Sequence, residues 1–196
     1  MSRPLDRVRA HLDTHFGHAE PDVASVTFLG ADAIDVLRYR VDDTVHYVSL
    51  GCSRRPMVDP TTMVADPELG PRAEVVLRLR NTEAITGLAR TLAIVAASPA
   101  VEGLVLVPDA LVDLSGPLWT HPSARVPFTA VLLGDSDIAE LPLGPPRDPV
   151  RFLSATPITA TEAAWVRLKG ADAMREAWRT DGVDVLDPYR PAAQPQ

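Results

Sequence analysis

Hydrophobic and polar positions alternate over several short stretches of the chain, and each such stretch predicts a strand. In residues 44–50, Val45, Tyr47 and Ser49 point to one face and His46, Val48 and Leu50 to the other. The same period runs through residues 33–41, with Leu37, Tyr39 and Val41 inward, and residues 23–29, with Val26 and Phe28 on one side. Asp42 and Asp43 leave room only for a tight turn, so 33–41 and 44–50 form an antiparallel hairpin. In residues 72–80, Val75, Leu77 and Leu79 point inward and Glu74, Arg78 and Arg80 outward. Residues 127–133 and 150–158 are further strands. The short apolar run 103–107 fits either a central strand or a buried loop.

A second period marks helices. Leu5, Val8, Leu12 and Phe16 recur at helical spacing, and Gly17 stops them. Ile85, Leu88, Leu92 and Val95 form a buried stripe on a helix capped by Asn81 or Thr82, with Glu83 in its first turn and Pro99 beyond its end. Thr159 and Glu162 have the spacing of a capping box, opening a helix whose apolar face begins with Trp165 and Leu168. Gly170 breaks it, a second helix over 171–179 carries Met174 and Trp178, and residues 183–186 form a short apolar return. Between these elements lie three irregular, Pro-rich segments, 56–71, 108–127 and 135–148, the first of a length at which loops are functional or mobile.

The chain's 196 residues suit one sizeable domain, and an apolar content of 46% places it among folding chains rather than disordered ones. Its 19 prolines exclude a bundle of long uninterrupted helices. A formal charge of −7 disfavours nucleic acid and steers basic partners instead. The lone cysteine, Cys52, forms no internal bridge, the N-terminal residues are charged without an apolar signal core, and no apolar run nears the ~18 residues a bilayer demands. These features read as a cytoplasmic protein without membrane association.

Chemistry-bearing residues are few. Arg54 and Arg55 stand beside Pro56 in a turn, where two guanidinium forks suit a carboxylate-bearing partner or serve as plain surface charge. Trp119 and His121 share a loop flanked by prolines, where they either shape a pocket or pin the loop to the core. His11, His15 and His18 are spaced for zinc, yet no glutamate follows His11 and no sulfur ligand is near. Cys52 lacks the amide cradle of a phosphate-binding nucleophile, since Pro56 removes a donor. No nucleophile elbow, phosphate loop or dinucleotide loop occurs.

Several short stretches, taken in order, carry a resemblance. They are His11-Leu12 through Phe16-Gly17; Ile34-Asp35-Val36; Tyr47 through Ser53, followed by Arg55-Pro56-Met57; Ala73-Glu74 and the strand after it; His121-Pro122; Ala130 to Leu133; Phe152 to Pro157 with Glu162; and Asp187-Pro188 with Arg190-Pro191. Together the chain resembles a bacterial, single-domain member of the Suppressor of fused family. It departs from the family pattern around His121, where Thr120 and Pro122 replace the usual neighbours. The resemblance implies an α+β fold, a mixed and largely antiparallel sheet with helices packed on it, over residues 1–190, with 191–196 a disordered Pro-rich tail. It further implies a non-enzymatic protein-binding domain without cofactor or metal. The expected role is an immunity protein, or antitoxin, covering the active surface of a toxin with a basic exterior, through contacts at Arg54, Arg55, Trp119 and His121. The competing expectation is an enzyme or small-ligand site lined by His46, Cys52 and His121.

Overall fold

Among the described residues seven strands form one mixed sheet in the order β1-β2-β3-β4-β7-β6-β5, with four α-helices and one short 3-10 turn. The computed structural model describes residues 3–58, 61, 66–80 and 85–193. Strands β1 (Asp22–Phe28), β2 (Ala31–Val41), β3 (Thr44–Leu50) and β4 (Arg72–Leu79) make an antiparallel meander. The chain then crosses by α2 (Leu88–Glu102) to the far edge. It returns inward through β5 (Leu111–Asp113), β6 (Phe128–Asp135) and β7 (Val150–Thr159). β7 docks against β4 in the sheet's only parallel pairing among the described residues, Arg72 opposite Val150 through Val76 opposite Ser154.

The alternating strand residues feed two layers. On one face, Val45, Tyr47, Val75, Leu77, Val131 and Leu153 pack with Leu88, Leu92 and Val95 of α2. On the other, Leu37, Tyr39, Val48, Val76 and Phe152 pack with Val8 and Leu12 of α1 (Pro4–His15). Farther along that second face, Ala130, Leu132 and Ile158 lie against α3 (Ala160–Lys169) and α4 (Ala171–Thr180), including Met174 and Trp178. Covering both faces is what commits so many strand residues to full burial.

Several expectations change. Glu74 is fully buried, as is Arg72, because the turn after β3 covers this end of the central strand β4, whereas Arg78 and Arg80 are exposed as expected. Residues 103–107 are a loop, with Leu106 buried and Leu104 and Val107 exposed. β5 lies in a segment that reads as irregular, since three residues are too few to show alternation. The expected cap at Asn81 or Thr82, with Glu83, lies outside the described residues.

Pro99 sits inside α2 rather than past its end. Its ring nitrogen has no hydrogen for the carbonyl of Val95 one turn back. The hydroxyl of Ser98 donates to that carbonyl at 2.7 Å, and the helix continues to Gly103. Leu168 is 73% exposed; α3 buries Glu162, Ala163 and Val166 instead. The capping box at Thr159 and Glu162 forms as its spacing predicts. At the C-terminal end, Ala193 is buried and its amide donates to Glu162, so packing extends beyond the expected boundary at Arg190.

Candidate functional site

The turn after β3 is fixed by two buried side chains of β4. Glu74 Oε1 accepts from the amides of Gly51 (2.9 Å) and Ser53 (3.0 Å) and from Ser53 Oγ (2.6 Å), while Oε2 accepts from Ser49 Oγ (2.5 Å). Arg72, two residues earlier on the same face, donates to the carbonyls of Ser53 (2.9 Å) and Arg54 (3.1 Å). One side chain takes the turn's donors and the other its acceptors, so the polar backbone of a sharp turn is satisfied inside the protein. Burial pushes the Glu74 carboxyl above its ordinary value, and the hydrogen bonds from Gly51, Ser49 and Ser53 pull it back only in part. Gly51 has φ +148°, and a β-carbon there would meet Ile34 Cδ1 at 2.8 Å, so the turn needs glycine. Beyond it, Met57 is buried; its amide donates to the carbonyl of Pro71 (2.8 Å) and its sulfur accepts from the amide of Leu106 (3.3 Å).

This clamping puts Arg54 and Arg55 on the surface. Arg55 is 81% exposed, with Nη2 3.5 Å from Asp32 Oδ2; Arg54 Nε is 3.8 Å from the same oxygen, and its Nη2 donates to the carbonyl of Ala33 at 3.3 Å. Between the two arginines, the β1–β2 turn and the C-terminal half of α2 lies a cleft of about 520 Å³. Ile34, Cys52, Met57, Ala96 and Ala97 line its apolar part. The Cys52 thiol is pushed well up, first by burial and then by the Glu74 carboxylate, which disfavours its thiolate form.

The other expected contact loop divides in two. Trp119 is 3% exposed and tilts against Phe128 at 5.2 Å, so it anchors the loop and presents no surface to a partner. His121 remains accessible, edge-on to Tyr189 at 5.7 Å, with Nδ1 accepting from the amide of Ser123. The pocket expected from His46, Cys52 and His121 does not form. Cys52 lines the arginine cleft on the α2 face, whereas His46 lines a separate cavity of about 210 Å³ on the α1 face with Arg78, Asp137 and Thr156. Burial, then Arg78, pushes the His46 imidazole down to about 4. Of the helix histidines, His11 Nε2 lies 2.7 Å from the carbonyl of Ala139 and its ring stacks on Phe152, while His15 stands edge-on to Phe16. Among the described residues, no group of three or more His, Cys, Asp or Glu side chains converges on a metal position.

A second buried carboxylate, Glu162, holds the C-terminal segment. It accepts from Arg190 Nη1 (2.7 Å) and Nη2 (3.1 Å), from Trp178 Nε1 (3.0 Å), and from the amides of Thr159 and Ala193. Burial raises its pKa, but Arg190 and the other donors outweigh it and leave the carboxyl below its ordinary value. The Arg190 guanidinium also lies 5.0 Å from the centre of the Phe128 ring. Sequence reasoning named Glu162 only as a cap and missed Arg72 and Glu74 as clamps. The one available signal was an acidic residue inside a strand otherwise bounded by apolar neighbours.

The architecture defines a class first: an α+β domain in which two antiparallel halves of one sheet meet at a single parallel seam. A family model then matches residues 30–191, and the chain belongs to the Suppressor of fused (SUFU) family. The fold is similar to that of a SUFU homologue from Neisseria gonorrhoeae, at 19% identity, with 97% of each chain covered and a TM-score of 0.67. It is also similar to a chain of the Sufu–Fu complex, at 18% identity, covering 96% of this chain and 91% of that one, with a TM-score of 0.68. Against Drosophila Suppressor of Fused the identity is 16% and the TM-score 0.70; 97% of this chain matches, but it spans about half, 51%, of that protein. Comparison with curated protein sequences gives no match. Among the described residues no helix is long and apolar enough to cross a membrane.

Proposed function

We propose that the chain is a non-enzymatic protein-binding domain that acts as an immunity protein, neutralising a cognate toxin by covering its active surface. The observation that carries this reading is the division of polar groups. The buried carboxylates Glu74 and Glu162 are saturated by internal donors, while Arg54 and Arg55 are held outward on a fixed turn. A side chain already committed to several internal donors is a scaffold element, whereas a guanidinium pair borne on a clamped turn suits recognition. The fold shared with a chain of the Sufu–Fu complex supports a protein as ligand. The net charge of −7 favours a partner whose exterior is basic overall. Contacts are proposed at Arg54, Arg55 and His121.

Co-expression with the products of the adjacent genes, followed by affinity capture of the full chain, tests this. The expected result is stoichiometric recovery of one neighbouring protein whose toxicity the chain suppresses. Recovery of no neighbour, or a neighbour whose toxicity is unaffected, overturns the antitoxin reading.

A further inference from the structure

Helix α2 carries no charged residue between Arg90 and Glu102, although Ile94, Ala100 and Val101 on that stretch face solvent. Exposed Leu104 and Val107 continue the apolar surface past its end. A helix surface in water ordinarily carries charge, so an uncharged outer face marks a place another surface covers. This face runs into the arginine cleft, which Ala96, Ala97 and Ala100 of α2 line on one side. Small side chains there leave depth: about 520 Å³ is enough for one or two large apolar side chains.

The rim defines what accompanies them. Arg54 and Arg55 share a single carboxylate, Asp32, at 3.8 and 3.5 Å, leaving a net positive rim on a chain whose total charge is −7. The turn bearing them is clamped by Glu74 and Arg72, so its backbone does not have to be ordered on binding. The C-terminal end of α2 is the negative end of its dipole, which keeps an incoming anion at the arginines and leaves the α2 wall to apolar groups. Phosphate-rich nucleic acid is repelled by the chain as a whole.

We infer that this cleft receives a peptide segment of a partner protein in which one or two large apolar side chains lie beside an acidic residue. The apolar groups fill the space between Met57 and Ala97, and the acidic residue displaces or supplements Asp32 at Arg54 and Arg55. This inference rests on the protein-binding reading and adds the chemistry of the bound segment.

Selection of random short peptides displayed on phage against the full chain, with the recovered sequences measured as synthetic peptides by fluorescence anisotropy, is the test. Recovered peptides are expected to place Asp or Glu next to Leu, Ile, Met or Phe, and to lose affinity as salt rises. The double charge reversal Arg54→Glu/Arg55→Glu is expected to weaken them about tenfold or more. Ala100→Trp, which crowds the mouth of the cleft from an exposed position, is expected to do the same with an unchanged melting temperature. Recovered peptides without acidic residues, peptides that bind both variants as well as the original chain, or recovery of no peptide each overturn the inference. Capture of a neighbouring gene product on a surface that both variants leave intact overturns the inference alone and leaves the binding function standing.

Discussion

Glu74 and Glu162 are both fully buried carboxylates, yet they sit in opposite electrostatic settings. Glu162 faces a buried guanidinium, Arg190, at 2.7 Å and five donor contacts in all satisfy it. Glu74 meets only neutral donors, two amides and two hydroxyls. One carboxyl is therefore held below its ordinary value and the other above it. Burial alone does not decide how a carboxylate behaves. What matters is whether a full opposite charge was buried with it. The two also hold different things: Glu162 ties down the end of the chain, and Glu74 shapes the turn that presents the arginines.

A single substitution separates the two sites. In Glu162→Gln, whichever position the amide nitrogen takes, it faces N–H donors of Arg190 and either Thr159 or Trp178 and Ala193. The expected cost is about 3–5 kcal/mol by urea denaturation, the range for a broken buried pair. The same change at Glu74 keeps Oε1 for Gly51 and Ser53 and turns only the Ser49 hydroxyl around, so Glu74→Gln is expected to cost under about 1 kcal/mol. Glu74→Ala strands every one of those donors and is expected to cost about 3 kcal/mol. Equal losses for the two glutamines would dissolve the distinction.

The pH dependence sharpens it. The contribution of Glu162, whose folded pKa is depressed, is present above the unfolded value of about 4.5 and is lost as pH falls through the folded value. Glu74 runs the other way: its contribution is full below its unfolded pKa and declines as pH rises through the raised folded value. Melting temperature followed against pH should therefore rise more steeply in Glu74→Gln than in the parent. His46 must be subtracted. Its folded pKa near 4 lies below the ordinary 6.5, so the unfolded chain binds the extra proton between those values and stability falls as pH drops through that window. His46→Phe is expected to flatten the curve there and leave the steeper fall below it. The smallest effect is reserved for Arg55→Ala. An exposed pair at 3.5 Å predicts a stability change within about 0.5 kcal/mol by the same denaturation, even though the arginine is proposed to matter for binding.

Much of the fold was readable because alternation and helical spacing report burial directly: β2, β3, β7, α1 and the capping box at Thr159 all stand close to where the pattern puts them. The readings that failed have two causes. Whether a polar residue in a strand faces water depends on what ends up packed over it, and that is a long-range fact, so Glu74 was misplaced by a pattern that put Arg78 and Arg80 rightly outside. Pro99 misled for a local reason: the hydroxyl of the residue before it, Ser98, takes up the carbonyl that the proline leaves free. At the candidate site, Arg54 and Arg55 were visible as adjacent charges beside a proline. The cleft beneath them was not, because its far wall comes from α2, some distance along the chain.

The parallel pairing of β4 with β7 has a kinetic consequence. Every other ladder joins strands that follow one another in the chain, whereas this one cannot close until the whole stretch carrying α2, β5 and β6 has been folded back. The loop-closure entropy of that step is the largest in the sheet, and contacts of long sequence separation slow folding. The meander β1–β4 and the hairpin of β6 with β7 are thus expected to form as separate pieces that zip together last. Truncations such as Val75→Ala or Leu153→Ala at the seam should speed unfolding while leaving the refolding rate nearly unchanged in stopped-flow chevrons, and a slowed refolding limb would place the seam in the nucleus instead.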